Sequence, residues 1–370
     1  MAVRRYSLAG MADDPATSGD PSILVGSAVY VGGYTGEDVQ RRGVEAYRFD
    51  TDQADRLALT ELAPVPLSTP SFLVAHPDRP LLYAVGETTP TTVSALRIAE
   101  DGSLELLNTV VSAGAGGCHL AVDETGQYVL VAHYTSGSVS TFGIAADGRL
   151  SEELDHHAFS GSGPHADRQD GPHAHQVVPH EGRVLVCDLG TDQVHQLRLD
   201  VEGHLRLAAD PIALPAGSGP RHLVVSGDHL VVACELTARL WLARRVDHRW
   251  QELGSWPSTS ATAAECFPSA LRLQDGQVLV GNRGPDTVAV FDLDTEQGRL
   301  VEVAELSTGG RWPRDLWCSP SHLWVANQNS DAVVAFRRPR DPDTGYVLDF
   351  EIPTAAPAVV LVRDVAAAAG

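Results

Sequence analysis

Residues 118–150 read CHLAVDETGQYVLVAHYTSGSVSTFGIAADGRL. Apolar and polar residues alternate over runs of four to eight rich in Val, Leu, Tyr and Thr, and Asp, Gly and Ser punctuate them, so the runs are β-strands. A first strand, a turn, a second strand and a third strand before an acidic-Gly-x-Leu turn make one unit. Working outward, Tyr30, Tyr83, Leu130, Leu185, Val231, Leu279 and Trp324 mark equivalent points in seven such units, with spacings of 53, 47, 55, 46, 48 and 45. A period of this size marks a solenoid or a propeller. Four antiparallel strands in each of seven copies predict an all-β, seven-bladed β-propeller whose blades bury their faces against one another.

The chain ends predict how the ring closes. The first copy begins at its second strand (AVYVGGYT, 28–35), whereas TAAPAVVLV (354–362) resembles a detached first strand such as TPSFLVAHP (69–77). The C-terminal strand is therefore expected to complete blade one and remove two open sheet edges. Residues 23–370 are expected to form this single domain, and residues 1–22, which lack an apolar stretch, a disordered tail.

Composition limits the partners. With 48 acidic against 27 basic residues the net charge is -21, which argues against nucleic acid and anionic membrane. Every basic residue is arginine, so Schiff-base chemistry by a lysine and a P-loop lysine are excluded. Five cysteines without a CxxC spacing argue against a disulfide framework and point to a reducing, cytoplasmic setting. They are expected to be buried thiols rather than nucleophiles.

The repeat supplies coordinates for function. The start of a blade's first strand lies beside the end of its second, on one mouth of the channel. Aligned first-strand starts are Ser71, Cys118, His175, Arg221, Ser269, Arg314 and Ala358; aligned second-strand ends are Tyr34, Glu87, Tyr134, Leu189, Glu235, Arg283 and Gln328. Small or apolar residues would fill a structural ring, yet these two hold three arginines, two glutamates and a histidine. They are either rim charges paired between blades or a site for carboxylate or phosphate, which arginine binds in a bidentate manner.

The runs YVGGYT (30–35), PHAHQV (172–177), GPRHL (219–223), CEL (234–236), GNRGPDTVAVFDLD (281–294) and VANQNSDAVVAF (325–336) resemble the lactonase family of seven-bladed β-propellers, in the family's order over residues 28–362. The resemblance implies catalytic His175, Arg221, Glu235 and Arg283, all members of the two rings. It also implies hydrolysis of a small anionic sugar lactone, 6-phosphogluconolactone of the pentose phosphate route, with neither metal nor other cofactor. Family members also run the cyclising direction on dicarboxylic acids. Two departures stand out: Gly33 replaces the family's usual Thr, and His133 replaces Asn and is expected to alter channel polarity.

Lactone opening needs an activated water, an oxyanion donor and a proton for the leaving oxygen. Glu235 as base with His175 as acid is one assignment, and the exchanged roles are another, because arginines beside Glu235 weaken it as a base. Arg221 and Arg283 would stabilise the oxyanion. Arg314, Glu87 and Gln328 complete a substrate-binding set with Arg168 and His165, which lie on the stretch 155–171 expected to loop over the same mouth. That stretch's histidines, and Asp188, Asn282 and Asn327 just before the second ring, raise a metal-dependent lactonase as an alternative. Strand-end residues of this kind also serve to bond a neighbouring backbone. A non-catalytic binding propeller is the rival class; no Trp-Asp blade signature supports it, and no GxSxG run supports a serine hydrolase.

Overall fold

The computed structural model describes residues 5–7, 24–36, 42–51, 57–263, 265–339 and 345–365. Seven antiparallel sheets are arranged as blades, and the first strand of each is the innermost. The inner strands of blades two to seven are Pro70–Ala75, Gly117–Val122, Ala174–His180, Pro220–Ser226, Phe267–Gln274 and Pro313–Cys318. In blade one that place is taken by Pro357–Asp364, which pairs along Ser27–Gly33 with Tyr30 opposite Leu361. The expected closure is present.

The second strands show why the period is legible. Tyr30, Tyr83, Leu130, Leu185, Val231, Leu279 and Trp324 are all buried in the second strands, each four residues before the strand-end ring. Seven clusters of buried side chains fill the seven gaps between neighbouring blades. At the closure, Trp324, Phe49 and Phe350 meet edge to face with centroids 5.0–6.0 Å apart, a geometry aromatic quadrupoles favour.

The N-terminal expectation needs one correction. Arg5–Ser7 pair with Leu57–Glu61 and add a fifth strand to the outer edge of blade one, where an unpaired ladder is available. The rest of the 1–22 stretch lies outside the described residues. No helix among the described residues is long and apolar enough to cross a membrane.

Candidate active site

In every blade the register between inner and second strand slips at the same level. Pro70 pairs with Gly86 and Phe72 with Val85, so Ser71 is left out of the ladder. The same slip leaves out Cys118, His175, Arg221, Arg314 and Ala358, and in blade six Ser269 and Ala270 share the place opposite Gly281. A β-bulge bends its strand and re-aims the extra side chain. The first ring is thus a ring of bulge residues, and the second ring follows directly: Glu87 and Glu235, for instance, bond by their amides to the carbonyls of Thr69 and Gly219.

Blades four to six bring His175, Arg221, Glu235 and Arg283 together, and all four are at least nine-tenths buried. Glu235 Oε2 takes Arg221 Nη1 at 2.5 Å and Arg283 Nη2 at 2.8 Å, while its Oε1 takes Arg168 Nη2 at 2.6 Å. Burial opposes ionisation of this carboxyl, but Arg221 and Arg283, helped by His175 and Arg168, outweigh it and hold it well below the usual carboxylate range. One carboxylate faces three guanidiniums. Burial and the like charge of Arg221 push Arg283 down to about 9, the response of a cation crowded by another. The cluster therefore carries excess positive charge toward the mouth.

His175 stands beside it as a neutral imidazole. Burial and then Arg221 hold it well below the ordinary histidine value. Its Nδ1 lies 4.0 Å from Cys118 Sγ, and among the described residues no partner occupies Nε2. Tyr134 and His222 meet the ring edge-on at 5.6 and 5.7 Å, with His119 a further 5.6 Å from His222. The Cys118 thiol is pushed up by burial and by Glu87, so it stays protonated and is no nucleophile.

Across the mouth, Arg314 donates to Tyr34 Oη at 2.5 Å, and Tyr34 donates to Glu87 Oε2 at 3.1 Å. Burial pushes the Tyr34 hydroxyl up to about 12, so it remains a phenol that can serve both partners. Gln328 follows the last residue of its second strand, opening a short 3-10 turn, and its Oε1 is buried without a partner among the described residues.

The connection between blades three and four places Arg168. Residues 155–158, expected to be loop, instead extend the outer strand Leu150–Ala158, because the alternation of exposed and half-buried residues continues through His157. The connection proper is 159–173. His165 accepts the amides of Arg168 and Gln169 through its carbonyl, closing the turn that presents Arg168, while its exposed ring lies beside Gly217. His173, missed in the sequence, stacks on Tyr134 at 4.4 Å and reaches its carbonyl at 2.9 Å. A histidine two residues before His175 in PHAHQV was the available signal.

The residues just before the second ring face neighbouring segments. Asn282 Nδ2 donates to Ser258 O at 2.8 Å and Asn327 Nδ2 to Thr308 O at 2.9 Å, each at the end of the preceding blade. Asp188 accepts the amides of His173 and Gly190 and meets His195 Nε2 at 3.0 Å. His133 belongs to this set: fully buried, it meets Ser112 Oγ at 2.9 Å, so it joins blades and is not placed to alter channel polarity as expected. Asp200, Glu202 and His204 come within metal-binding reach of one another, on the turn after the third strand of blade four. Away from all this, a cavity of about 640 Å³ opens between blades one and seven beside Trp317, His322 and Asp364, at the opposite ends of the strands.

With the geometry in view, comparisons with known proteins are specific. A family model described as "Lactonase, 7-bladed beta-propeller" matches residues 28–363. The 6-phosphogluconolactonase of Bacillus subtilis is 32% identical over 330 residues, 85% of this chain and 92% of that protein. The 6-phosphogluconolactonase of Formosa agariphila is 28% identical over 334 residues, 86% of this chain and 93% of its own. Among solved structures, the periplasmic gluconolactonase PpgL of Pseudomonas aeruginosa superposes with a TM-score of 0.81 at 28% identity, covering 92% of this chain and 99% of its own.

Proposed function

This chain belongs to the lactonase family of seven-bladed β-propellers, and we propose that it hydrolyses a small anionic sugar lactone, with 6-phosphogluconolactone as the substrate. The supporting observation is the neutral His175 beside a carboxylate that three arginines already occupy. Glu235 has both oxygens engaged and is held ionised, which makes it a poor proton acceptor. Its role in this reading is to hold Arg221 and Arg283 parallel to the site; His175 is the base.

The chemistry then runs through one proton carrier. His175 Nε2 takes a proton from a water as that water adds to the lactone carbonyl. Arg221 and Arg283 donate to the developing oxyanion in a site where burial strengthens each bond. The tetrahedral intermediate collapses, the ring C–O bond breaks, and imidazolium returns the same proton to the departing oxygen. The product acid then ionises. Arg168, part-exposed beside Glu235, binds the phosphate, which needs a bidentate donor that a lysine-free chain supplies only as arginine.

Such a substrate places the reaction in the pentose phosphate route, and five unpaired cysteines fit a cytoplasmic setting. Purified protein assayed against phosphorylated and unphosphorylated gluconolactone, corrected for spontaneous opening, tests the reading. Faster opening of the phosphorylated ester, lost in Arg221→Ala, is expected; no opening of either above the spontaneous rate ends it.

A further inference from the structure

The mouth has two unlike sides, and only one has been used. On the side of blades one, two and seven, three polar groups lack partners among the described residues. Ser71 Oγ is one: the residue is 5% exposed, its hydroxyl has no hydrogen bond, and it occupies the same bulge position as His175, Arg221 and Arg314. Gln328 Oε1 is the second. Glu87 is the third, because Tyr34 engages Oε2 and no described residue reaches Oε1.

Leaving a buried hydroxyl without a partner leaves its desolvation cost uncompensated, so a site that keeps one has a ligand or water to receive it. The three groups together offer a strong acceptor, an amide oxygen and a hydroxyl that both donates and accepts. That set matches the O–H groups of a polyol. An anion does not fit: Glu87 would repel it, and Tyr34 already holds the nearest cation, Arg314.

Resting on the hydrolase reading above, we propose that Glu87, Ser71 and Gln328 form a hydroxyl-recognising subsite, with Glu87 as the specificity-determining residue. The mouth is bipolar. Its arginine side takes one anionic group and its Glu87 side takes the hydroxyls of the ring, so the substrate class is a polyhydroxylated lactone with a single anionic end. A dicarboxylic lactone without hydroxyls would set its second carboxylate against Glu87 and leave Ser71 unpartnered, and the site rejects it for both reasons.

The test compares kcat/KM for 6-phosphogluconolactone, its ring-deoxy analogues and a hydroxyl-free lactone with two carboxylates. Glu87→Gln keeps the shape and an acceptor for Tyr34 but removes the charge. It is expected to lower kcat/KM on the parent about tenfold or more, to leave at least one deoxy analogue unchanged, and to raise activity on the dicarboxylic lactone. Ser71→Ala, which removes one oxygen from a chain whose melting temperature reports folding, should lower the parent and spare a deoxy analogue without helping the dicarboxylic lactone. Equal effects of each variant on all the lactones overturn the subsite. Wild-type protein that opens none of them overturns the hydrolase reading instead.

Discussion

Gln169 Nε2 donates to Asp192 Oδ1 at 2.8 Å, and the same oxygen accepts the amide of Gly219 at 2.8 Å. Asp192 Oδ2 also takes the amide of Gly217 at 2.6 Å. One buried carboxylate thus ties the connection that carries Arg168 to the turn that leads into Arg221. Asp192→Ala is expected to destabilise the fold by roughly 2–4 kcal/mol, because three buried donors lose their acceptor. Activity should fall by more than the folded fraction accounts for, since both arginines lose their support. Denaturant unfolding and kcat/KM on the same preparation check this; an activity loss equal to the unfolded fraction would refute the link.

Exchanging His175 and Glu235 separates base from brace. His175→Asn should lower kcat by roughly 10²–10⁴ and abolish the acid limb of the pH profile. In Glu235→Gln the acid limb should survive but move to lower pH, since the carboxylate that raises His175 is gone, while stability drops by about 3–5 kcal/mol as three guanidiniums lose their counter-charge. Phosphate, as a replacement anion, should raise the melting temperature of that variant more than that of wild type. A profile whose acid limb disappears with Glu235 instead would reverse the assignment.

The acid limb itself has a predicted place. His175 must be neutral to accept a proton, and burial holds its value well below 6.5. Opening of unphosphorylated gluconolactone, free of substrate titration, should therefore stay constant as pH falls through 6.5 and decline only below it. A midpoint at or above 6.5 would contradict the buried, arginine-flanked imidazole.

Stability should respond to acid through the same class of residue. Burial pulls His119 down to about 3 and His133 to about 4, and holds His222 well below the ordinary value. All three stay neutral in the native state while the unfolded chain protonates near 6.5, so unfolding takes up protons and stability falls as pH drops below 6.5. Each group contributes about 1.4 kcal/mol per pH unit until its folded value is reached. His119→Gln should flatten the dependence of unfolding free energy on pH between 6 and 3, and an unchanged slope would show that His119 is charged in the native state.

The two rings were legible because seven copies could be aligned without knowing any contact. What the alignment hid was the bulge. An extra residue shifts alternation by one without leaving a mark of its own in seven short strands, so Ser71 and Arg221 lined up correctly while the bulge that re-aims them did not show. The same one-residue offset explains the misreading of His133. It precedes Tyr134 by a single step in an extended strand, and side chains one step apart point to opposite faces, one toward the mouth and one toward Ser112 in the preceding blade. Arg168 was identified by residue type and by the direction its connection enters blade four; its pairing with Glu235, 67 residues away, has no trace in spacing.

The strand that seals the ring also sets a timetable. Ser27 waits for Asp364, 337 residues further along, before its hydroxyl finds a partner. At roughly 5–20 residues per second of synthesis, the innermost place in blade one stays vacant for tens of seconds while blades two to seven emerge in order. Blade one is thus first to be made and last to be finished, and the nascent chain carries an open strand edge on the ribosome for most of its translation. Chaperone capture should concentrate on that window, and silent codons that slow elongation late in the message should lower the yield of folded protein more than the same codons placed early.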